Sequence, residues 1–281
     1  MVRIVHLSDL HFGKHDPEVV EGLAADIADH RPNLVVVSGD FTQNGTRSEF
    51  RAARAFLDTL HAPAFAVPGN HDVPQINLVS RLIRPYRLYK RYISQDLEPF
   101  TDLGTVAIAG LRTVRRARAE FNWAHGTISR DQLSGLGERF EQASPEAIRV
   151  VVAHHPLLFP DEPMLKKMRR VKRADEALKC FASLGIRLVL SGHFHMSYVR
   201  RHEHEGEIGE AIIEGPRLSA AAPILVCQAS STTSTRLRGH ANGYNVIDFQ
   251  PDGEIDINVR EWTDEDVWRT RESAHEQVPN A

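Results

Sequence analysis

The sequence predicts an α/β fold, a layered sandwich of sheets and helices. Three observations predict it. In the first half, short β-branched runs alternate with segments of helical period, the pattern of βαβ units. From about Ile208 the helical period is replaced by strand-like runs separated by turn residues. Five apolar runs also end abruptly in acids, Asn or His, at the place where open α/β sheets bind their ligands.

The elements follow in order. Val2–Leu7 reads as a strand and runs into Ser8-Asp9-Leu10-His11. Asp16-Pro17 opens a helix, with Asp as cap and Pro in the first turn. Val20, Leu23, Ala24 and Ile27 form its apolar stripe, and His30-Arg31-Pro32 closes it. Leu34–Val37 is a strand ending in Ser38-Gly39-Asp40. A helix over Ser48–Leu60 turns Phe50, Ala53, Phe56, Leu57 and Leu60 inward. Ala64–Val67 runs into Pro68-Gly69-Asn70-His71-Asp72. Thr105–Leu111 is a strand and Asp131–Gln142 a helix. Val150–Ala153 runs into His154-His155-Pro156. Ala174–Leu184 is a helix closed by Gly185. Leu188–Leu190 runs into Ser191-Gly192-His193-Phe194-His195. Beyond Ile208, Ile212-Ile213, Pro223–Cys227, Tyr244–Phe249 and Glu254–Val259 read as strands, with a turn at Pro251-Asp252-Gly253, and suggest antiparallel pairing. The polar stretch Thr263–Ala281 is expected to fray. The expected division is therefore a domain over 1–262 and a tail over 263–281.

Bulk properties narrow the class. The chain has 281 residues, 42% of them hydrophobic and 25% charged, enough for a core that needs no disulfides. Net charge is −3, which provides no global field for nucleic acid or membrane, and no nucleic-acid polymer is expected as partner. The two cysteines, Cys180 and Cys227, form no CxxC pattern and suit a reducing compartment. No secretory leader and no long apolar span are visible, so a cytoplasmic location is expected.

The fifteen histidines carry most information where they cluster at strand ends. In extended backbone, residues i and i+2 share a face, so Asp9-Leu10-His11 and His193-Phe194-His195 can each aim two ligands at one centre. Asp40 and Asn70 each follow a Gly, which lets the chain turn as it leaves the strand. The seven donors Asp9, His11, Asp40, Asn70, His154, His193 and His195 exceed one tetrahedral site and suit two metals with a shared carboxylate. Mixed Asp, His and Asn donors favour Mn, Fe, Zn or Co over Ca or Mg.

Asp-x-His, Gly-Asp, Gly-Asn-His-Asp, His-His-Pro and Gly-His-x-His, in this order over residues 9–195, resemble the calcineurin-like metallophosphoesterase superfamily. The resemblance implies a four-layer α/β/β/α sandwich with a dinuclear centre at the strand ends. It implies that Asp9, His11 and His195 hold one metal, that Asn70, His154 and His193 hold the other, and that Asp40 bridges them. It places His71 beside the scissile phosphate as the catalytic residue that assists the leaving group, with Asp72 next in sequence, and His155 behind the ligands. The expected reaction is hydrolysis by a hydroxide bridging the two metals. Gly39-Asp40 continues as Phe41-Thr42-Gln43-Asn44, without the Arg of the protein phosphatase branch.

Compact length and motif order resemble the class III cyclic-nucleotide phosphodiesterase branch. Cyclic nucleotides or related small phosphodiesters are thus the expected substrates, and a homodimer is compatible with that branch. Gly110–Thr113 and Asn122–Ser129 resemble the same branch and are expected to approach the site. Phe121 or Trp123 could stack on a base there, or simply pack a loop; Arg112, Arg115, Arg116 and Arg118 could meet phosphate or solvent. A second expectation comes from Lys166, Lys167, Arg169, Arg170, Lys172 and Arg173, with Leu165, Met168 and Val171 among them. A basic amphipathic segment suits peripheral contact with an anionic membrane, and hence a lipid-linked phosphodiester or pyrophosphate of the nucleotide–diacylglucosamine type. A scaffold of this fold would lack ligands, and none is missing. The polar stretch Ser230–Ser234 to Gly243 is expected to link strands rather than line the site.

Overall fold

The computed structural model describes residues 1–115, 125–160, 168–203 and 223–271. Two six-stranded sheets form its centre. In the first, β1 (Val2–Leu7), β2 (Leu34–Val37) and β3 (Ala64–Ala66) run parallel. β10 (Gly243–Phe249), β11 (Ile255–Trp262) and β12 (Trp268–Thr270) extend that sheet antiparallel from the other side of β1. In the second, β5 (Val106–Leu111), β6 (Ile148–Ala153), β7 (Ile186–Ser191) and β9 (Ile224–Gln228) run parallel. β4 (Phe100–Asp102) and β8 (Tyr198–His202) pair antiparallel at its edges.

Alternation along each strand builds the layers. Ile4, Val36 and Phe65 of the first sheet meet Ile108, Val152 and Leu190 of the second in one buried cluster between the sheets. Val5, Val35 and Val37 point the other way, onto α1 (Pro17–His30) and α2 (Arg47–Leu57) through Leu23, Ile27 and Phe50. On the far side, Val151 and Val189 pack on α5 (Arg130–Ser134), α6 (Leu136–Phe140) and α7 (Ala174–Ser183) through Leu133, Phe140 and Phe181. The order helix, sheet, sheet, helix is the four-layer α/β/β/α sandwich. Because β1, β2, β3, β6 and β7 all deliver their C-terminal ends to the same edge, the five polar clusters converge.

Several boundaries differ from the sequence expectation. The helix expected to reach Leu60 ends at Leu57, where the backbone closes in turns at Thr59 and Leu60. The helix expected over Asp131–Gln142 is two short ones joined at Gly135. The run ending at Cys227 pairs antiparallel with β8, as expected, but parallel with β7 on its other edge, because it enters the second sheet rather than joining its successors in the first. The frayed tail is also corrected. Trp268–Thr270 pairs with β11, and Trp268 is buried against Tyr244 and Trp262. Residues 272–281 lie outside the described residues, as do the expected strand at Ile212-Ile213 and residues Arg116, Arg118, Phe121, Trp123, Leu165, Lys166 and Lys167.

The described part of the basic segment, Met168–Arg173, is not helical. Val171 N–H donates to Pro156 O at 2.9 Å, and Lys172 bridges Thr127 in parallel register. Arg170 pairs with Asp175 at 2.8 Å. Tertiary hydrogen bonds thus override the apolar period of three. Among the described residues no helix is long and apolar enough to cross a membrane.

Candidate metal centre

Eight non-glycine residues among those described have positive φ, and five of them are Asp9, His11, Asp40, His193 and His195. Each such conformation costs on the order of 1–3 kcal/mol and persists only where surrounding bonds impose it. The device expected at Asp9-Leu10-His11, two ligands on one face of extended backbone, is therefore not the one used. At φ 53° and 48°, Asp9 and His11 sit in left-handed turns. Continued as a strand, the chain would leave the sheet edge. The turns fold it back so that Asp9 N–H donates to Gly39 O at 3.0 Å and His11 N–H to Asp40 O at 2.9 Å. The loops after β1 and β2 then run side by side, and their side chains share one cleft.

In that cleft His195 Nε2 lies 3.2 Å from Asp9 Oδ1, and His11 Nε2 lies 3.5 Å from the same oxygen. The two Nε2 atoms are 3.1 Å apart. A second group forms around His154, whose Nε2 lies 3.1 Å from Asn70 Oδ1 and 3.3 Å from Asp40 Oδ2. Asp40 Oδ2 is also 3.8 Å from His11 Nε2, so this carboxylate stands between the two groups. His193 packs edge-on against His154, with ring centroids 5.2 Å apart. His155 joins His154 and His193 in a cluster whose donor atoms lie within 4.8 Å of one another.

The second nitrogen of each ring shows which way the lone pairs point. His154 Nδ1 meets Ser38 O at 2.9 Å, and His195 Nδ1 meets Arg236 O at 3.0 Å. A carbonyl only accepts, so both Nδ1 atoms carry hydrogen and both Nε2 atoms face the cleft. Asp9 Oδ1 is buried there without a hydrogen-bond donor. Buried lone pairs and carboxylates that converge in this way repel one another unless a cation lies among them. The residues fit metal ions, and the mixed nitrogen and oxygen donors suit borderline metals.

Protons answer the same field. Burial opposes charge on His154, but Asp40 at 3.3 Å and then Asp9 outweigh it and push it up to about 9. Burial likewise opposes charge on Asp9 and Asp40, yet the facing histidines hold both carboxyls well below their usual range. Burial and the neighbouring His154 bring His193 down to about 3, so it is a neutral imidazole. Asp40 and Asp9 thus favour positive charge at His154, the same field that would favour a cation in the cleft.

His71 stands beside this cleft. Its backbone N–H donates to Asp40 Oδ1 at 2.7 Å, and its Nδ1 donates to Gln43 O at 2.6 Å. Its ring meets His11 edge-on at 4.8 Å. Asp72 does not serve it. The Asp72 carboxylate accepts Gly69 N–H at 2.8 Å and Thr42 N–H at 3.1 Å, and burial followed by Asp40 raises it to about 8.

The calcineurin-like phosphoesterase model matches residues 2–197, which span every one of these clusters. The chain belongs to the calcineurin-like phosphoesterase family. This phosphoesterase is 26% identical over 237 residues to a probable cyclic nucleotide phosphodiesterase of Synechococcus, covering 84% of this chain and 78% of the relative. It is 24% identical over 269 residues to a cAMP/cGMP dual specificity phosphodiesterase of Mycobacterium tuberculosis, covering 89% and 76%. Its fold is that of a dimetal phosphatase from Danio rerio, with TM-score 0.63, 14% identity and coverage of 96% and 98%.

The phosphoesterase also uses residues that sequence reasoning passed over. Ser8 Oγ donates to Asp9 Oδ2 at 2.6 Å, and His193 N–H donates to the same oxygen at 2.8 Å. The Ser230–Ser234 stretch, expected as a linker, is a buried wall of the site. Ser231 Oγ donates to Asp9 O at 2.7 Å, Thr233 Oγ1 to Leu10 O at 2.6 Å, and Thr232 N–H to Ser8 O at 2.9 Å. The available signal was a run of short hydroxyl residues without a charge. Thr113 Oγ1 lies 2.6 Å from His155 Nδ1, so the Gly110–Thr113 segment approaches the histidine cluster, as expected. Two glycines allow the close packing. A Cβ on Gly69 would fall 2.1 Å from Asp40 Oδ1, and one on Gly192 would fall 1.7 Å from Ser8 Oγ.

Proposed function

We propose that the protein is a phosphodiesterase of 3′,5′-cyclic nucleotides or related small phosphodiesters. The observation that carries the reading is the single carboxylate of Asp40 standing between two donor groups, with His71 held at its side. In this reading Asp9, His11 and His195 hold one metal, Asn70, His154 and His193 hold the other, and Asp40 is shared. Mn, Fe, Zn or Co suits these donors. Two metals bound there would polarise a phosphoryl oxygen and lower the pKa of a water.

The chain's own groups supply orientation and a proton. Ser38 O and Arg236 O lock His154 and His195 with Nε2 facing the substrate side. Ser8 and the His193 N–H hold Asp9 Oδ2, so that Oδ1 alone faces the cleft. Gln43 O fixes His71 through Nδ1, leaving Nε2 as the atom that can carry a proton toward a leaving oxygen. Burial, against the opposing pull of Asp40, lowers the His71 pKa, so the ring rests neutral. An anionic phosphoester drawn beside it favours the protonated ring and readies it as general acid. The diester preference is supported by the relatives named above. A scaffold role needs missing donors, and all seven positions carry one.

The test is hydrolysis of 3′,5′-cAMP by the Mn-loaded protein, with bis(p-nitrophenyl) phosphate as positive control. Cleavage of both is expected. Cleavage of the control alone would leave the metal centre intact and move the substrate to another class of phosphoester; cleavage of neither would overturn the reading.

A further inference from the structure

The short helix α3 (Leu78–Ile83) is inverted in polarity. Its one charged residue, Arg81, is 1% exposed and donates from Nη1 to Pro74 O at 3.1 Å. Its apolar residues Leu78, Val79, Leu82 and Ile83 are 50–69% exposed, and Ile76 just before it is 81% exposed. Leu78 with Leu82, and Val79 with Ile83, lie four residues apart and share a face. Five of the eight exposed large hydrophobic residues among those described fall within these eight positions. A fold with a well-filled core has no internal reason to place them outside, so the patch marks an interaction surface.

Its surroundings carry one sign of charge. Arg84, Arg87, Lys90 and Arg91 follow on and around α4 (Arg87–Tyr92), and all four are exposed. No Asp or Glu occurs from Val73 to Gln95. Arg47 on α2 reaches the same region, donating to Tyr92 Oη at 3.0 Å. The segment is tied to the metal centre, because Gln75 donates to Asn70 O at 2.6 Å. Across the chain, a second loop on the same centre repeats the composition. Arg236, whose carbonyl holds His195, is followed by Leu237 and Arg238, all exposed.

We propose that α3 and its basic surround form a docking site for an anionic lipid surface, which would bring the mouth of the metal centre to the membrane. Aliphatic side chains entering the acyl boundary within a ring of Lys and Arg at headgroup level is the chemistry of interfacial binding. A second copy of the chain fits less well. A two-fold interface lays a patch on itself, and here that would bring the Arg84, Arg87, Lys90 and Arg91 sets of the two copies together with no acid from this segment between them. The site differs from the Lys166–Arg173 segment considered from sequence, whose described part is committed to tertiary hydrogen bonds and an ion pair. The inference does not depend on the cyclic-nucleotide reading.

The experiment is sedimentation of the full-length, Mn-loaded protein with phosphatidylcholine vesicles, with and without about one-third phosphatidylglycerol, at low salt. Binding to the anionic vesicles alone is expected. Leu82→Ser with Ile83→Ser should abolish it. Arg87→Glu with Lys90→Glu should lower the partition coefficient by about twenty-five-fold or more, at roughly fivefold per basic charge removed. Both variants alter exposed side chains, so hydrolysis of bis(p-nitrophenyl) phosphate should be unchanged and reports that they are folded. Failure of the wild type to sediment with anionic vesicles overturns the proposal, as does binding that both variants retain. Conversion of a dimer to a monomer by the Leu82/Ile83 variant would also overturn it and assign the patch to a second copy. Failure of the wild type to hydrolyse cAMP would count against the proposed substrate and leave the docking site standing.

Discussion

Asp40 accepts the backbone N–H of His71 at 2.7 Å through Oδ1, while its Oδ2 faces His154 at 3.3 Å. One carboxylate therefore positions the proposed acid and joins the two donor groups. Asp40→Ala is expected to retain fewer than two metals per chain after gel filtration and to lose most turnover. Metal analysis showing two metals per chain together with full activity would refute the shared role.

His71 should matter in proportion to the difficulty of the leaving group. His71→Ala is expected to keep its metals and to lose roughly 10²–10⁴-fold in turnover on a cyclic nucleotide, whose ribose oxygen needs a proton. On bis(p-nitrophenyl) phosphate the loss should be far smaller, since p-nitrophenolate departs without one. Equal losses on both substrates would remove the general-acid role.

Metal binding should release protons. His154 is pushed up to about 9, against an ordinary imidazole near 6.5, so the metal-stripped protein carries that proton at neutral pH. Ligation requires neutral imidazole, hence proton release on adding Mn at pH 7, diminishing as the pH approaches 9. The sign for stability follows from the same shift. A folded pKa above the unfolded one stabilises fully below about 6.5, and that contribution is lost as pH rises through about 9. Asp72, raised to about 8 by burial and Asp40, acts in the same direction. The stripped protein should thus melt at lower temperature at pH 9 than at pH 6.5, and the metal-loaded protein should show a smaller decline. Titration in weak buffer and calorimetry check both statements; no proton release at pH 7 would contradict the first.

Glycines at the site are expected to resist substitution. A methyl group on Gly192 would fall 2.5 Å from Asp9 Oδ2 as well as on Ser8 Oγ. Gly192→Ala should weaken metal retention and destabilise by about 1–3 kcal/mol through overpacking. A metal-loaded variant with wild-type melting temperature would show that the loop yields without consequence.

The C-terminal strand should be part of the folding unit. Trp268 is 7% exposed, and its ring lies 5.1 Å from Tyr244 and 5.5 Å from Trp262. Trp268→Ala is expected to cost about 3–5 kcal/mol. Truncation after Trp262 should cost at least as much in urea unfolding. Equal stability of the chain cut at 262 would restore the polar-tail reading.

The proposed centre was legible as a set of residue types, because metal chemistry needs particular side chains at strand ends, and Asp9, His11, Asp40, Asn70, His154, His193 and His195 stand in plain sequence positions. The conformations that aim them were not legible. Alternation of side chains suggested extended triplets, whereas Asp9, His11, His193 and His195 adopt left-handed turns. The turns at Asp9 and His11 are held by bonds to Gly39, Asp40 and Ser231, residues remote in sequence, and His193 N–H is held by Asp9 Oδ2. The Ser230–Ser234 wall was misjudged for the same reason. Hydroxyls that satisfy the backbone of a neighbouring loop look like ordinary turn residues until that loop is in place.

The four-layer order entered as what the family resemblance implies; by itself the sequence determined most strand and helix runs, a layered α/β sandwich, and the acids, Asn and His that stand at the strand ends. Local pattern is enough for these, because burial of β-branched runs and the residue types a metal accepts are both short-range requirements. Only the tertiary structure decided that β9 joins the second sheet, that Trp268 closes the first, that Gln43 rather than Asp72 orients His71, and that α3 buries its arginine and exposes its leucines. Each of these depends on a partner contributed by a distant segment, and no local period encodes which segment that will be.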